Sequence, residues 1–425
     1  MSSSTLKTFS YQYPFFTPFV TGLNEQWVTV TASNASVNTR FTSKGNSSII
    51  FPLQSNYQFY KTDSMVFIAD YELYAGNALA TGAAATISEQ GISRAFSQVL
   101  VKIGSFVVEQ LYYDEAVGQF YSTIGEKRGK LLKIMEGYDQ PDVFAATGKA
   151  RFAIRVMSSL FYNSQALPLP CIAGLTLEFM MAPVENLALS PTVTELVINN
   201  PYIRCLAIAP DASYTLGLQS SLARGGSLWL PMVEARQFQS NGYGSDVIDV
   251  VTSVGVYSSI DSVSCTFWSR TGYANRTNDR FGRYSFNGLK SWSIQIGNLI
   301  NPQTRLFTCG DGDKCLETLL VTLMSSAGSL DNLEDFVELQ GNTRDEIFTN
   351  YLTKYFRFGL NWTSSNEEFG SGIDLTNASS TNVVTHLEFA APVNNDLVVL
   401  TTVTASVLLE INNQSPTVWK TLPSV

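Results

Sequence analysis

Alternation of apolar and polar residues at every second position is the clearest pattern in the chain. In Leu289–Gly297, Trp292, Ile294 and Ile296 fall on one side and Ser291, Ser293 and Gln295 on the other, as in an antiparallel strand with one buried face. Phe152, Ile154 and Val156 alternate with Arg151, Ala153 and Arg155 in the same way. Val99–Val107 is dense in β-branched residues and carries Gly104-Ser105 near its centre, which predicts two strands joined by a tight turn. Runs of this length, punctuated by Gly, Asn, Ser and Pro, point to antiparallel sandwiches rather than to alternating strand and helix units.

Helical spacing occurs in few places. Asp114 can cap a turn carrying Val117, Phe120, Tyr121 and Ile124, followed by the basic run Lys127, Arg128, Lys130 and Lys133 and a second turn with Leu131, Leu132 and Met135. Leu316, Leu319, Leu320 and Leu323 keep the spacing of one helix face, and Thr343 with Glu346 fits a capping box ahead of Ile347, Phe348, Tyr351, Leu352 and Tyr355. Each half of the chain thus reads as strands, then helix, then strands.

The halves also resemble one another. Leu177-Glu178-Phe179-Met180-Met181-Ala182-Pro183-Val184 recurs, with one residue deleted, as Leu387-Glu388-Phe389-Ala390-Ala391-Pro392-Val393, and the run Thr192–Asn200 is echoed by Thr402–Asn413. Both matches are spaced by about 210 residues, half of the 425 in the chain, so the period is a domain length. The expected organisation is a first β-domain over 1–210 with an N-terminal arm, a polar Gly/Ser-punctuated linker over 211–226, and a second β-domain over 227–425. An all-β fold of two tandem eight-stranded antiparallel jelly rolls with short helical insertions fits that length and order.

Composition narrows the function. Only 15% of residues are charged, the net charge is −9, and a typical soluble protein has about 25%. With 45% hydrophobic residues the chain is no disordered tail, and its acidic balance disfavours sequence-independent or specific nucleic-acid binding. No apolar run reaches the length of a membrane-spanning helix. The first residues lack the cationic start and apolar core of a secretory signal, so synthesis inside a cell without a signal peptide is expected. Cys171, Cys205, Cys265, Cys309 and Cys315 are scattered and odd in number, and read best as reduced thiols packed as small hydrophobes.

Chemistry is sparse. His386 is the one histidine and its repeat-mate is Thr176, so a structural or exposed role outweighs a catalytic one. Glu178 and Glu388 could suggest a glycosidase pair, but each belongs to a different repeat and duplication alone explains them. Cys309-Gly310-Asp311-Gly312-Asp313-Lys314-Cys315 has neither zinc spacing nor a calcium loop; a turn with an Asp cap for the following helix is the preferred reading, with a disulfide across it only after oxidation. No phosphate loop or dinucleotide fingerprint occurs. No catalytic residue, cofactor or metal is expected, and the chain does not read as an enzyme.

Several stretches in order resemble a known family. They are Gly91–Tyr121 (strand, Gly-Ser turn, strand, helix), the Pro-rich Leu167–Pro183, Val193–Ala209, and Trp292–Thr308. Together they are similar to the double jelly-roll major capsid proteins of icosahedral DNA viruses, those of polinton-like viruses and virophages above all, which are distant relatives of adenovirus hexon. The family pattern usually reads Arg-Ile-Gly and Tyr-Pro where this chain has Gln295-Ile296-Gly297 and Ile300-Asn301-Pro302. The resemblance implies a virion protein that forms homotrimers, each a pseudo-hexameric capsomer that tiles a shell with neighbouring capsomers. It also implies penton and minor capsid proteins as partners, and termini facing the interior, where an inner membrane often lies.

The aromatic start, Phe9, Tyr11, Tyr13, Phe15, Phe16 and Phe19 around Pro14 and Pro18, reads equally as an arm docking on a neighbouring capsomer or minor protein and as an arm packed under its own barrel. Two other function classes compete with a shell protein. One is a viral receptor- or carbohydrate-binding sandwich, and the other is a two-barrel enzyme such as a bicupin, which a single histidine disfavours.

Overall fold

Strands form where apolar residues recur every second position and their partners across the sheet do the same. In the computed structural model, which describes residues 24–35, 39–45, 47–55, 58–89, 91–112, 134–137, 140–156, 158, 160, 166–210, 212–242, 244–275, 285–303, 306–310, 315–326, 343–353, 356–362, 370–412 and 416–421, these runs build four antiparallel sheets. The first half contributes β1 (Asn24–Thr31), β2 (Arg40–Thr42), β3 (Ser48–Pro52), β4 (Phe59–Ala75), β5 (Ala78–Leu79), β6 (Phe96–Ile103), β7 (Phe106–Tyr112), β8 (Lys149–Arg155), β9 (Ala166–Leu167), β10 (Leu175–Met181) and β11 (Glu195–Ala209). One sheet runs β1-β11-β4-β5, with β2 on β11 and both β8 and β9 on β4; the other runs β3-β10-β6-β7.

The second half repeats this plan. Its strands are β12 (Leu228–Asn241), β13 (Val247–Ser253), β14 (Ile260–Ser269), β15 (Leu289–Ile296), β16 (Leu299–Asn301), β17 (Phe307–Thr308), β18 (Phe358–Asn361), β19 (Asn382–Phe389), β20 (Leu397–Ile411) and β21 (Thr417–Trp419). They pair as β12-β20-β14-β18, with β21 on β20, and as β13-β19-β15-β16, with β17 on β15. Strand by strand, β1-β11-β4-β8 matches β12-β20-β14-β18, and β3-β10-β6-β7 matches β13-β19-β15-β16. In each half the last long strand returns between two early strands, β11 between β1 and β4 and β20 between β12 and β14, the long-range closure of a jelly roll.

Aromatic rings lock each pair of sheets. Phe67 of β4 reaches across to Phe51, Phe96 and Phe179 of the facing sheet, at ring-centroid distances of 5.6, 5.4 and 4.8 Å. Phe267 of β14 meets Phe389 of β19 at 5.5 Å, while Trp292 of β15 packs on Phe358 at 4.9 Å. Phe179 and Phe389 lie on equivalent strands, β10 and β19, whose burial alternates in step. The first sequence echo is therefore a true structural repeat. The second is not: Val193 precedes β11, whereas Val403 sits in the middle of β20. Val- and Thr-rich strands resemble one another wherever they lie, which is why that echo arose.

Two further expectations change. The segment expected as a polar linker is a helix, α1 (Ala212–Ala223). Its propensity is poor, but Leu218 and Leu222 sit one turn apart in the core, and Tyr214 lies against Phe59 at 6.1 Å, so packing overrides composition. The strand Leu289–Ile296 was expected to be half-buried, yet Ser291 and Ser293 are buried as well. The outward face of the β14–β20 pair is also buried and lined with hydroxyls: Ser262 and Thr404 share a 2.6 Å hydrogen bond, and Arg357 donates to Ser264 at 2.8 Å. Small hydroxyl side chains allow this because each can both donate and accept, and so pairs with another hydroxyl or with a neighbouring polar group.

The other α-helices among the described residues are α2 (Arg270–Ala274), α3 (Leu316–Ser326) and α4 (Arg344–Thr353). The expected capping box is present ahead of α4: the Glu346 amide donates to Thr343 Oγ1 at 3.3 Å and the Thr343 amide to the Glu346 carboxylate at 3.2 Å. The helix expected after Asp114 lies outside the described residues except for Ile134 and Met135. No helix among the described residues is long and apolar enough to cross a membrane.

Two predictions follow from this core. Replacing Phe267 with Ala removes a ring at the sheet interface and is expected to cost about 3–5 kcal/mol in denaturant unfolding, against less than about 0.5 kcal/mol for Trp27→Ala on the surface of β1. The second concerns Asp261, buried on β14, whose carboxylate accepts from Ser259 at 2.7 Å and Ser406 at 2.8 Å. Burial pushes its pKa up to about 6, against the pull of those hydroxyls. The folded state then binds this proton more tightly than the unfolded state, so stability falls as pH rises from about 4 to about 6 and levels off above. Asp261→Asn should remove this fall, on the order of 3 kcal/mol, in unfolding curves compared at pH 4 and pH 7.

Candidate assembly surfaces

Each sheet leaves edge strands, and two of them face each other within the chain. β7 ends the first barrel's smaller sheet and β12 begins the second barrel's larger one. Between them lies a cleft of about 690 Å³, lined by residues 106–112 of β7, residues 232–238 of β12, and Val407, Val418 and Lys420. The Glu234 carboxylate organises its floor. It pairs with Arg236 at 2.9 Å and Lys420 at 3.6 Å and accepts the Tyr257 hydroxyl at 2.7 Å. Burial first, and Glu234 next, push the Tyr257 phenol well above its ordinary pKa. Lys420 also lies 5.2 Å from the Tyr257 ring centroid, so the C-terminal segment is held onto β12 by a charge and a ring together.

The β7 wall is apolar where it begins. The hairpin from β6 turns at Gly104, with φ of +60°, and leaves Phe106 and Val107 39% and 42% exposed. The second barrel has the same device: β15 turns at Gly297, with φ of +56°, into β16, whose Leu299 and Ile300 are 41% and 46% exposed. A two-residue turn opening on a left-handed residue suits Gly at its first position. The repeat was present in the sequence as Ile103-Gly104-Ser105-Phe106-Val107 and Ile296-Gly297-Asn298-Leu299-Ile300, a short apolar–Gly–polar–apolar signal that strand periodicity alone passes over. Trp27, the most exposed aromatic side chain of the core strands at 61%, stands on β1, the counterpart of β12.

Outside the cleft, the first barrel's larger sheet carries a row of paired charges. Glu72 holds Lys149 at 2.6 Å and Arg40 at 3.7 Å, and Arg151 lies 3.4 Å from Asp70. Burial alone would raise the pKa of Glu72, but hydrogen bonds from Lys149 and Tyr74 outweigh it and hold the carboxyl below its ordinary value. Exposed pairs of this kind contribute little stability each.

Among the residues singled out by sequence, the structure groups His386 with two acids. Its Nδ1 lies 2.6 Å from Asp249 on β13 and its Nε2 3.6 Å from Glu388, whose carboxylate also accepts the Ser291 hydroxyl. That hydroxyl foremost, and His386 after it, hold the Glu388 pKa below its ordinary value. The serine bonds the glutamate and not the imidazole, so the set is no nucleophile–base pair. Glu178 is bonded to Lys102 in the other barrel, so the two glutamates form no site together. Thr176 pairs in register with Pro52 and Lys102.

Cys309 and Cys315 are joined in a disulfide, contrary to the expectation of five reduced thiols, while Cys171, Cys205 and Cys265 are free. The chain turns back within six residues, with Cys315 at φ of +54° and its amide donating to the Gly310 carbonyl, which brings the two thiols together at the foot of α3. Asp311 and Asp313, the basic run Lys127–Lys133, and Phe9, Tyr11, Tyr13, Phe15, Phe16 and Phe19 lie outside the described residues. Among the described residues no group of three or more His, Cys, Asp or Glu side chains could hold a metal ion.

No protein-family model matches the sequence, and no curated protein does. Solved structures match along almost the whole chain. The crystal structure of PBCV-1 VP54 fitted into a reconstruction of the virophage Sputnik is 10% identical, with a TM-score of 0.61 over 95% of this chain and 98% of that one. A quasi-atomic model of the PBCV-1 virus capsid is 9% identical, with a TM-score of 0.59 over 94% of this chain and 97% of that one. The Faustovirus major capsid protein is 8% identical, with a TM-score of 0.59 over 92% and 91%. Strand order and end-to-end likeness agree: this chain has the double jelly-roll fold.

Proposed function

We propose that this chain is a major capsid protein of an icosahedral DNA virus, self-assembling as pseudo-hexameric trimers that tile the shell. The observation that carries the reading is the strand-for-strand duplication of one barrel within a chain whose full length is matched by viral capsid proteins. A threefold ring of two-barrel chains offers six near-equivalent edges, which a lattice of hexagonal units requires and one gene product then supplies. The chemistry agrees with a structural role: His386 and the two glutamates are absorbed in local hydrogen bonds rather than arranged around a reacting atom. The low charge agrees too, since cores of protein interfaces are depleted in charged residues. In this reading the protein resides in the virion, does no enzymatic work, and contacts neighbouring capsomers, penton and minor capsid proteins, with an inner membrane beneath the shell as a further neighbour. The carbohydrate-binding alternative has no comparable support.

Light scattering behind size exclusion should give about 140 kDa, three chains of 46.7 kDa, and electron microscopy of concentrated protein should show hexagonal arrays or closed shells. A monodisperse monomer under all conditions would sink the proposal. Deleting residues 2–20 tests the aromatic arm: trimers are expected to persist while shell formation is lost, and intact shells would assign the arm to its own barrel.

A further inference from the structure

The chain sets one hairpin edge across a cleft from one first-strand edge, and carries the two separated halves of a second such arrangement. Within the chain, the hairpin edge of the first barrel, with Phe106 and Val107, faces the β12 edge of the second across the cleft. The duplication supplies the same parts again: a second hairpin edge with Leu299 and Ile300 on β16, and a second first-strand edge on β1.

Strand register shows that Trp27 occupies the matching place on β1. Phe67 and Phe267 are equivalent, since each packs on the Phe of the strand just before its barrel's long closing strand, Phe179 or Phe389. Phe67 pairs with Ile203, which pairs with Val30; Phe267 pairs with Val399, which pairs with Ser240. Three residues back along each first strand stand Trp27 and Gln237, and Gln237 lines the cleft wall that faces β7. Trp27 is thus where a hairpin edge would seat.

We propose that the β15–β16 hairpin edge of one chain seats against the β1 edge of a second copy, with Leu299 and Ile300 covering Trp27. This deepens the capsid reading and rests on it. The occupant is a second copy of this chain because the chain itself already sets the same two kinds of edge, a hairpin edge and a first-strand edge, opposite each other between its barrels. Such a contact joins different surfaces of the two copies, so it propagates head to tail, and a rotation of one third of a turn per copy closes it into a ring of three. In a ring of three, each chain supplies one internal contact and one contact to its neighbour. The side chains suit the role. Both halves are aliphatic or aromatic, their flanks on the hairpin are the uncharged Gln295, Asn298 and Asn301, and Glu25 is the nearest acid along β1, so little charge is desolvated when they meet. A large aromatic facing branched aliphatics is also the usual composition of an energetic anchor.

The experiment uses the full chain in four forms: wild type, Leu299→Asp with Ile300→Asp, Trp27→Glu, and Val251→Asp as a control on β13 at the opposite edge of the sheet that holds β16. Light scattering should show wild type and control as trimers, and both seam variants as single chains with at least tenfold weaker self-association and unchanged far-ultraviolet circular dichroism. A chain carrying Trp27→Cys and Ile300→Cys provides a second readout independent of any loss of folding: oxidation should give covalent dimers and trimers on a non-reducing gel, absent from the wild type. Folded seam variants that remain trimeric, or a double-cysteine chain that fails to cross-link while trimeric, overturn the seam and leave the capsid reading standing. Loss of assembly in the hairpin variant alone, with Trp27→Glu still trimeric, also overturns it, because Trp27 then meets something other than β16. A wild type that is monomeric throughout overturns both.

Discussion

The long closing strand of each barrel is the constraint on which the rest depends. β11 and β20 are both 15 residues long, and each lies between two early strands of its barrel, β11 between β1 and β4 and β20 between β12 and β14. Their pairings join residues far apart in sequence, such as Val28 with Cys205 and Met232 with Val407, so neither barrel closes until its chain is complete. Closure aligns the apolar faces that bring Phe67 onto Phe179 and Phe267 onto Phe389, and it consigns β1, β7, β12 and β16 to sheet edges. Edge strands present unpaired backbone and invite partners. In this chain two edges face each other inside the molecule, and two equivalent ones do not.

Charge distribution follows from that arrangement. The second barrel's closing strand is buried on both faces, and its outward positions are filled by Thr402, Thr404 and Ser406, of which Thr404 bonds the Ser262 hydroxyl and Ser406 the Asp261 carboxylate. Asp261 is the exception, a buried acid accommodated by two serines. Where charge is plentiful, as around Glu72 and Glu234, it is neutralised locally by Lys149 and Arg40, or by Arg236 and Lys420. The low charge of the sequence is thus concentrated into paired clusters and withheld from the apolar hairpin edges.

Much of the fold was legible because period-two patterning is a local signal that survives in the barrel. Trp292, Ile294 and Ile296 point inward as their spacing demands, and the Gly104-Ser105 turn falls between the two strands it divides. What escaped was set by distant contacts. Helix α1 depends on Leu218 and Leu222 meeting a core that composition does not announce. The burial of Ser291 and Ser293 reflects what lies over their sheet, and the Cys309–Cys315 bond reflects a turn geometry that spacing does not fix. The association of His386 with Asp249 joins positions 137 apart, and the repeated hairpin became visible only once strand order aligned it with its counterpart. The Thr192–Asn200 echo shows the opposite error, a similarity of composition without equivalence of place.

The central claim is that one arrangement of barrel edges is used twice, once across the cleft within a chain and once between chains. A cryo-electron microscopy reconstruction of the purified assembly at side-chain resolution tests it most directly. The account predicts a threefold particle with six barrels around the axis, in which β16 of each chain lies beside β1 of the next as β7 lies beside β12. A twofold dimer, or a trimer whose chains meet through other strands while Trp27 and Ile300 stay in solvent, would contradict it.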